Sequence, residues 1–151
     1  MPRRENEDVM RRVLVIEDEA DVRLLYRVNL RHAGFEVLES DDGDHGIDAA
    51  RTHLPDAVVL DLMMPRTDGF EVLEALRSAR ATRDIPVIVL TADVRTEDHQ
   101  RCYELGADVV VTKPFSPETL TNGLHRLLDA TYEDRLARRA EAVASTGTAF
   151  R

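Results

Sequence analysis

Asp61 closes the apolar run Ala57-Val58-Val59-Leu60, and three further runs of that kind end on groups that could serve one reaction. Glu17 and Asp18 follow Val13-Leu14-Val15-Ile16, Thr91 follows Val87-Ile88-Val89-Leu90, and Lys113-Pro114 follows Val109-Val110-Val111-Thr112. Mg²⁺ favours near-octahedral oxygen coordination and keeps several of its waters. Asp18 and Asp61 are candidate direct ligands, Glu17 a candidate ligand through a bound water, and the Met63 carbonyl a further donor. Crowded carboxylates raise one another's pKa, so a cation there offsets their repulsion. It would also neutralise an incoming phosphate and let the Asp61 carboxylate attack phosphorus. The transferring group spreads negative charge over its peripheral oxygens. Lys113 offers a point charge to one of them and Thr91 a hydroxyl to another. The Lys113–Pro114 bond is a candidate cis peptide.

Taken singly, each group has a blander reading. An aspartate after a strand is commonly a turn or cap residue, Glu17-Asp18 could cap the next helix, Thr91 could be an N-cap, and Lys113 a surface cation. The argument for chemistry is their coincidence at the ends of four separate strand-like runs.

Those groups meet only if the runs are neighbours in one sheet. The spacing predicts strands over 13–17, 35–39, 57–61, 86–91 and 108–112, separated by helices over 20–33, 44–53, from after the 64–69 loop to about 78, and 96–105, with a last helix from Pro117. Gly34 and Gly106 act as helix stops, and Asp41-Asp42-Gly43 reads as a turn. Near-continuous apolar strands alternating with helices imply a parallel sheet covered on both faces. Right-handed crossovers then give a doubly wound α/β fold. Ligands in such folds bind beyond the carboxyl ends of the strands, which is where the singled-out groups lie.

Composition fits this reading. The 151 residues suit one domain, 43% apolar content supports a core, and 32% charged content suits a solvated surface. A net charge of −9 argues against a general nucleic-acid binder. A lone cysteine, Cys102, permits no intrachain disulfide and fits a reducing cytosol; on its helix it reads as half-buried packing. No stretch has the length and apolarity of a membrane span, and residues 1–11 read as a flexible leader without a signal-peptide apolar region, so the expected location is cytoplasmic. His32, His45, His53, His99 and His125 show no shared metal-ligand spacing.

The sequence resembles the receiver domains of two-component response regulators. The matching stretches are Val13 through Glu19, Val58 through Pro65 with Asp68-Gly69, Pro86 through Ala92, and Gly106-Ala107-Asp108 through Phe115, within a receiver spanning about 12–130. The resemblance implies a flavodoxin-like (βα)5 fold with strand order 2-1-3-4-5. It implies that Asp61 is the phosphoacceptor, that Glu17, Asp18, Asp61 and the Met63 carbonyl form a Mg²⁺ site, and that Thr91 and Lys113 contact the phosphoryl group. The implied donor is a sensor histidine kinase or histidine phosphotransfer protein, and the implied output is altered binding to a downstream protein. Met63 and Asp93 stand where the family tunes access of the hydrolytic water. One departure concerns Val110: many receivers have an aromatic residue three positions before the lysine. A valine cannot make the large rotamer change of that aromatic, so switching is expected to be muted or to use another element, such as the helix after Thr91.

Such a module would catalyse its own phosphorylation and dephosphorylation and turn over no external metabolite. A Mg²⁺-dependent phosphatase of the haloacid dehalogenase type is disfavoured, because its chemistry needs an acid where Met63 stands. A degenerate receiver, binding partners without phosphorylation, is the remaining alternative. Residues 131–151 read as a helical extension and a tail without order from Ser145. That is too short for a DNA-binding output domain, so a stand-alone receiver without direct nucleic-acid or membrane contact is expected. Leu136, Ala140 and Val143 recur at helical spacing, with Arg135, Arg138 and Arg139 between them. They suggest a solvated extension or, alternatively, a docking or homodimerising helix.

Overall fold

Runs of valine, isoleucine and leucine form five short strands because their branched side chains suit a pleated surface packed on both sides. The computed structural model describes residues 10–148. Its order is β1 (Arg12–Ile16), α1 (Ala20–His32), β2 (Glu36–Ser40), α2 (Gly43–His53), β3 (Ala57–Asp61), α3 (Gly69–Ser78), β4 (Val87–Thr91), α4 (Thr96–Glu104), β5 (Val109–Thr112), α5 (Pro117–Asp129) and α6 (Tyr132–Thr148). All five strands are parallel in the order β2-β1-β3-β4-β5. The expected architecture and strand order are thus observed. The leader's residues 1–9 lie outside the described residues.

Alternation inside each apolar run divides the core. Leu14, Ile16, Val58, Leu60, Val87 and Val89 face one layer, which includes Leu73 and Leu76 of α3 and Cys102 of α4. Val13, Val15, Val59, Ile88 and Leu90 face the other, against Tyr26 and Leu30 of α1 and Leu120 and Leu124 of α5. Each fully buried leucine or isoleucine contributes about 1.5–3 kcal/mol relative to exposure. Cys102 is fully buried rather than half-buried, and burial pushes its thiol up to about 12.

Caps set the helix starts. The Asp42 carboxylate accepts the His45 N–H, so Gly43 opens α2 rather than closing a turn. Asp68 caps α3 through the Phe70 N–H, and Ser116 caps α5 with Pro117 in its first turn. Strand β2 begins at Glu36, one residue later than the pattern suggests, and Phe35 is buried with its ring 4.9 Å from that of His125. Gly69 is required by close approach: a Cβ there would stand 2.7 Å from the Leu62 Cα.

The C-terminal helix α6 lies against α4. Its buried side chain is a charged one, Arg135, 6% exposed, whereas Leu136 and Tyr132 are exposed. Arg135 reaches Asp108, at the foot of β5, through Nε to Oδ1 at 3.0 Å and Nη2 to Oδ2 at 3.1 Å, and donates to the Asp84 carbonyl at 2.8 Å. Arg139 joins at 3.1 Å and Arg77 of α3 at 3.1 Å. Asp108 also accepts the Val87 N–H. Burial brings the Arg77 guanidinium down to about 10, with Asp108 opposing the shift and the neighbouring arginines adding to it. Helix persists through Thr148, so Ser145–Thr148, expected to lack order, are helical, while 149–151 lie outside the described residues.

Candidate functional site

Sheet register brings the chemistry-bearing residues together. Ile16 pairs with Leu60 and Asp61 with Leu90, so Glu17, Asp61 and Thr91 fall at adjacent strand ends; Thr91 pairs with Thr112, which puts Lys113 next. Backbone bonds extend the pairing past the strands: the Lys113 N–H donates to the Thr91 carbonyl at 2.7 Å and the Leu62 N–H to the Leu90 carbonyl at 2.9 Å. The Lys113–Pro114 peptide is cis.

Carboxylate oxygens of Glu17, Asp18 and Asp61 lie within 4.8 Å of one another. The Lys113 ammonium stands 3.5 Å from Asp61 Oδ2 and 3.6 Å from Glu17 Oε1. Glu17 and Asp61 are buried, with side chains 1% and 7% exposed. Thr91 is fully buried. Asp61 Oδ1 accepts the Met63 N–H at 3.2 Å, and Glu17 Oε2 accepts the Glu19 N–H at 3.2 Å. Glu17 Oε1 is buried without a hydrogen-bond partner. Burial first, then the neighbouring Asp61, push the Glu17 carboxyl up to about 8. A buried, unsatisfied carboxylate oxygen facing two more carboxylates is what a hard oxygen-seeking cation would relieve. The donor set therefore fits Mg²⁺.

The loop after β4 adds contacts that sequence reasoning missed. Thr91 Oγ1 accepts the Asp93 N–H at 3.0 Å. The Asp93 carboxylate accepts the Arg95 N–H at 2.9 Å and pairs with the Arg95 guanidinium at 3.0 Å, and His99 Nε2 lies 2.6 Å from the Asp93 carbonyl. Arg95 in turn reaches Asp98 at 2.7 Å. These contacts hold the Asp93 carboxyl well below its usual range, with Arg95 the largest cause. The signal was present in the polar run Asp93 to His99, but no spacing rule says which partners pair. His45 meets Asp41 and Asp42 at 2.9 and 3.1 Å, a grouping the histidine spacing did not suggest, and the two aspartates line one cavity with Asp18.

A family model for the response regulator receiver domain matches residues 13–125. The chain belongs to the response regulator receiver family. Similar curated proteins include the phosphate regulon transcriptional regulatory protein PhoB of Escherichia coli, 42% identical over 110 residues, covering 73% of this chain and 48% of PhoB. The DNA-binding dual master transcriptional regulator RpaA of Synechocystis is 39% identical over 132 residues, covering 87% of this chain and 54% of that one. The receiver spans about half the length of the curated relatives it matches. Among solved structures it resembles the Vibrio cholerae chemotaxis protein CheY4, with TM-score 0.75 and 32% identity over 79% of this chain and 99% of CheY4. It also resembles the receiver domain of a Pseudomonas aeruginosa sensor histidine kinase, described with a magnesium ion coordinated in its active-site cleft, with TM-score 0.75 and 26% identity over 81% of this chain and 100% of that one. No helix of the described residues is long and apolar enough to cross a membrane.

Proposed function

We propose that this receiver is a phosphorylation-controlled signalling module of a two-component pathway, with Asp61 as phosphoacceptor. The observation that supports it best is the approach of Lys113 Nζ to Asp61 Oδ2 at 3.5 Å beside the unsatisfied Glu17 oxygen. Asp18, Asp61 and the Met63 carbonyl would hold Mg²⁺, with Glu17 acting through a bound water. Bound there, Mg²⁺ supplies charge neutralisation for the incoming phosphate.

An Asp61 carboxylate oxygen attacks phosphorus on a phosphohistidine of the kinase or phosphotransfer protein. An O–P bond forms, the P–N bond breaks, and its electron pair stays on the imidazole nitrogen. Lys113 neutralises one peripheral oxygen of the transferring group, and the Thr91 hydroxyl donates to another. The aspartyl phosphate later yields to water, so the chain acts on itself and on no external metabolite. Its output is changed affinity for a downstream protein. The net charge of −9 speaks against direct nucleic-acid contact by the receiver, and a cytoplasmic setting suits both the free thiol and the kinase partner.

Incubation with Mg²⁺ and a small acyl phosphate, followed by intact mass, tests the reading. A phosphate-sized mass gain in the parent and none in Asp61→Asn is the expected result. A parent that gains no mass would favour a receiver that works without phosphorylation.

A further inference from the structure

Helix α6 is attached in an unusual way for a helix that folds back on its domain. Among its described residues the one buried side chain is Arg135, while Tyr132, Leu136 and Ala140 face solvent. Its charged anchors are Arg135 and Arg139, which close on Asp108, while Ala142 and Val143 are half-buried. Three guanidiniums, counting Arg77, share that single carboxylate, so like charges crowd the latch. Arg139 Nη2 is buried without a hydrogen-bond partner, which disfavours the closed form. Release of α6 leaves Asp108 held by Arg77 and by the Val87 N–H, so no isolated buried charge remains behind. A helix held this way can lift while the domain stays folded.

What α6 lies on connects it to the phosphoacceptor. Helix α4 starts from the turn that Thr91 begins: the Thr91 hydroxyl accepts the Asp93 N–H, and Asp93 holds Arg95 and His99. At the other end of α4 the Tyr103 hydroxyl accepts the Val110 N–H at 3.1 Å, tying the helix to the edge strand β5. One helix thus joins the hydroxyl beside Asp61, the edge strand and α6.

We propose that α6 is a charge-latched strap over α4 whose grip depends on the phosphorylation state of Asp61. The inference rests on Asp61 being the phosphoacceptor. A phosphoryl group on Asp61 offers the Thr91 hydroxyl new anionic acceptors. As the hydroxyl turns toward them, its bond to the Asp93 N–H weakens and the first turn of α4 is freed to move. Because α6 packs on α4, and its latch is already charge-crowded, movement of α4 loosens the strap and uncovers the outer face of α4.

Hydrogen exchange followed by mass spectrometry on the full chain tests this, with Mg²⁺ alone and with Mg²⁺ plus a small acyl phosphate, intact mass being read on the same samples. Amides of 132–148 are expected to exchange about tenfold faster in the phosphorylated chain, within the usual range of allosteric couplings, while β1 and β3 amides stay protected. Asp61→Asn should show no acceleration. Arg139→Gln should release α6 without phosphate, because it removes one of the two charged contacts that α6 makes with Asp108. A chain that gains phosphate yet keeps α6 at its resting exchange rate overturns the strap and leaves the phosphoacceptor intact. A chain that gains no phosphate overturns the phosphoacceptor and the strap's control together. Protection of α6 unchanged by Arg139→Gln overturns the latch.

Discussion

Tyr103 of α4 accepts the backbone N–H of Val110 on β5 through its hydroxyl at 3.1 Å. Val110 stands three positions before Lys113, where many receivers carry an aromatic side chain. Here the hydroxyl of an aromatic residue on the neighbouring helix bonds the backbone at that position. Burial raises the Tyr103 hydroxyl's pKa, which favours its neutral form. Tyr103→Phe should leave the Val110 N–H without its partner and cost about 1–2 kcal/mol. Urea unfolding would show the lower midpoint, and an unchanged midpoint would mean water replaces the hydroxyl without loss.

Asp108 is the shared counter-charge of Arg77, Arg135 and Arg139, with its side chain 1% exposed. Asp108→Ala leaves the three guanidiniums facing one another. Loss of one partner from a buried ion network typically costs about 3–5 kcal/mol. Chemical denaturation of the variant should show a loss of that size; a loss below about 1 kcal/mol would mean the network is well solvated.

Lys113 is expected to act on the transferring group. Lys113→Ala should slow phosphorylation of Asp61 by about 10²-fold, the scale of losing one charge-stabilising donor. A time course of intact mass under Mg²⁺ and acyl phosphate reads this directly. An unaltered rate would remove Lys113 from the chemistry.

Mg²⁺ should stabilise the fold by satisfying Glu17, Asp18 and Asp61. At a concentration about a hundred times its dissociation constant the gain is about 2.7 kcal/mol. Thermal melts with Mg²⁺ and with a chelator should separate accordingly, and Asp18→Asn should shrink the gap. Coincident melts of the parent would count against the metal site.

His45, whose partners Asp41 and Asp42 line a cavity with Asp18, offers a pH test. Its hydrogen bond to Asp41 raises the imidazole pKa above 6.5, with Asp42 adding to the shift. The folded state then holds the proton more tightly than the unfolded state does. The resulting stabilisation is fully present below about pH 6.5 and fades as pH rises through the folded value. Titration of the imidazole by NMR should give a pKa above that of an unpaired histidine, returning toward it in Asp41→Asn.

Much of this molecule is legible in its sequence. Runs such as Val87-Ile88-Val89-Leu90 announce buried strands because a sheet covered on both faces has no place for alternating polar residues. Glu17, Asp61, Thr91 and Lys113 were legible as a set because each follows such a run directly, and parallel strands bring their carboxyl ends to one edge. The start of α2 was misread by one residue, because Asp42 as a cap and Asp42 within a turn look alike along the chain.

Pairing across the fold was not legible. Nothing near Asp108 says that it will gather Arg77, Arg135 and Arg139, since a carboxylate's partners are decided by which helices pack together. The Leu136, Ala140 and Val143 spacing suggests a solvated extension or a docking helix, yet the structure lays α6 on α4 and turns Arg135 inward to a buried carboxylate. By itself, then, the sequence determined the strands, their connections and the chemistry at their ends, all of which depend on local pattern. Only the tertiary structure decided the distances around Asp61, the bond from Val110 to Tyr103 and the docking of α6, because these depend on groups far apart in the chain meeting within a few ångströms.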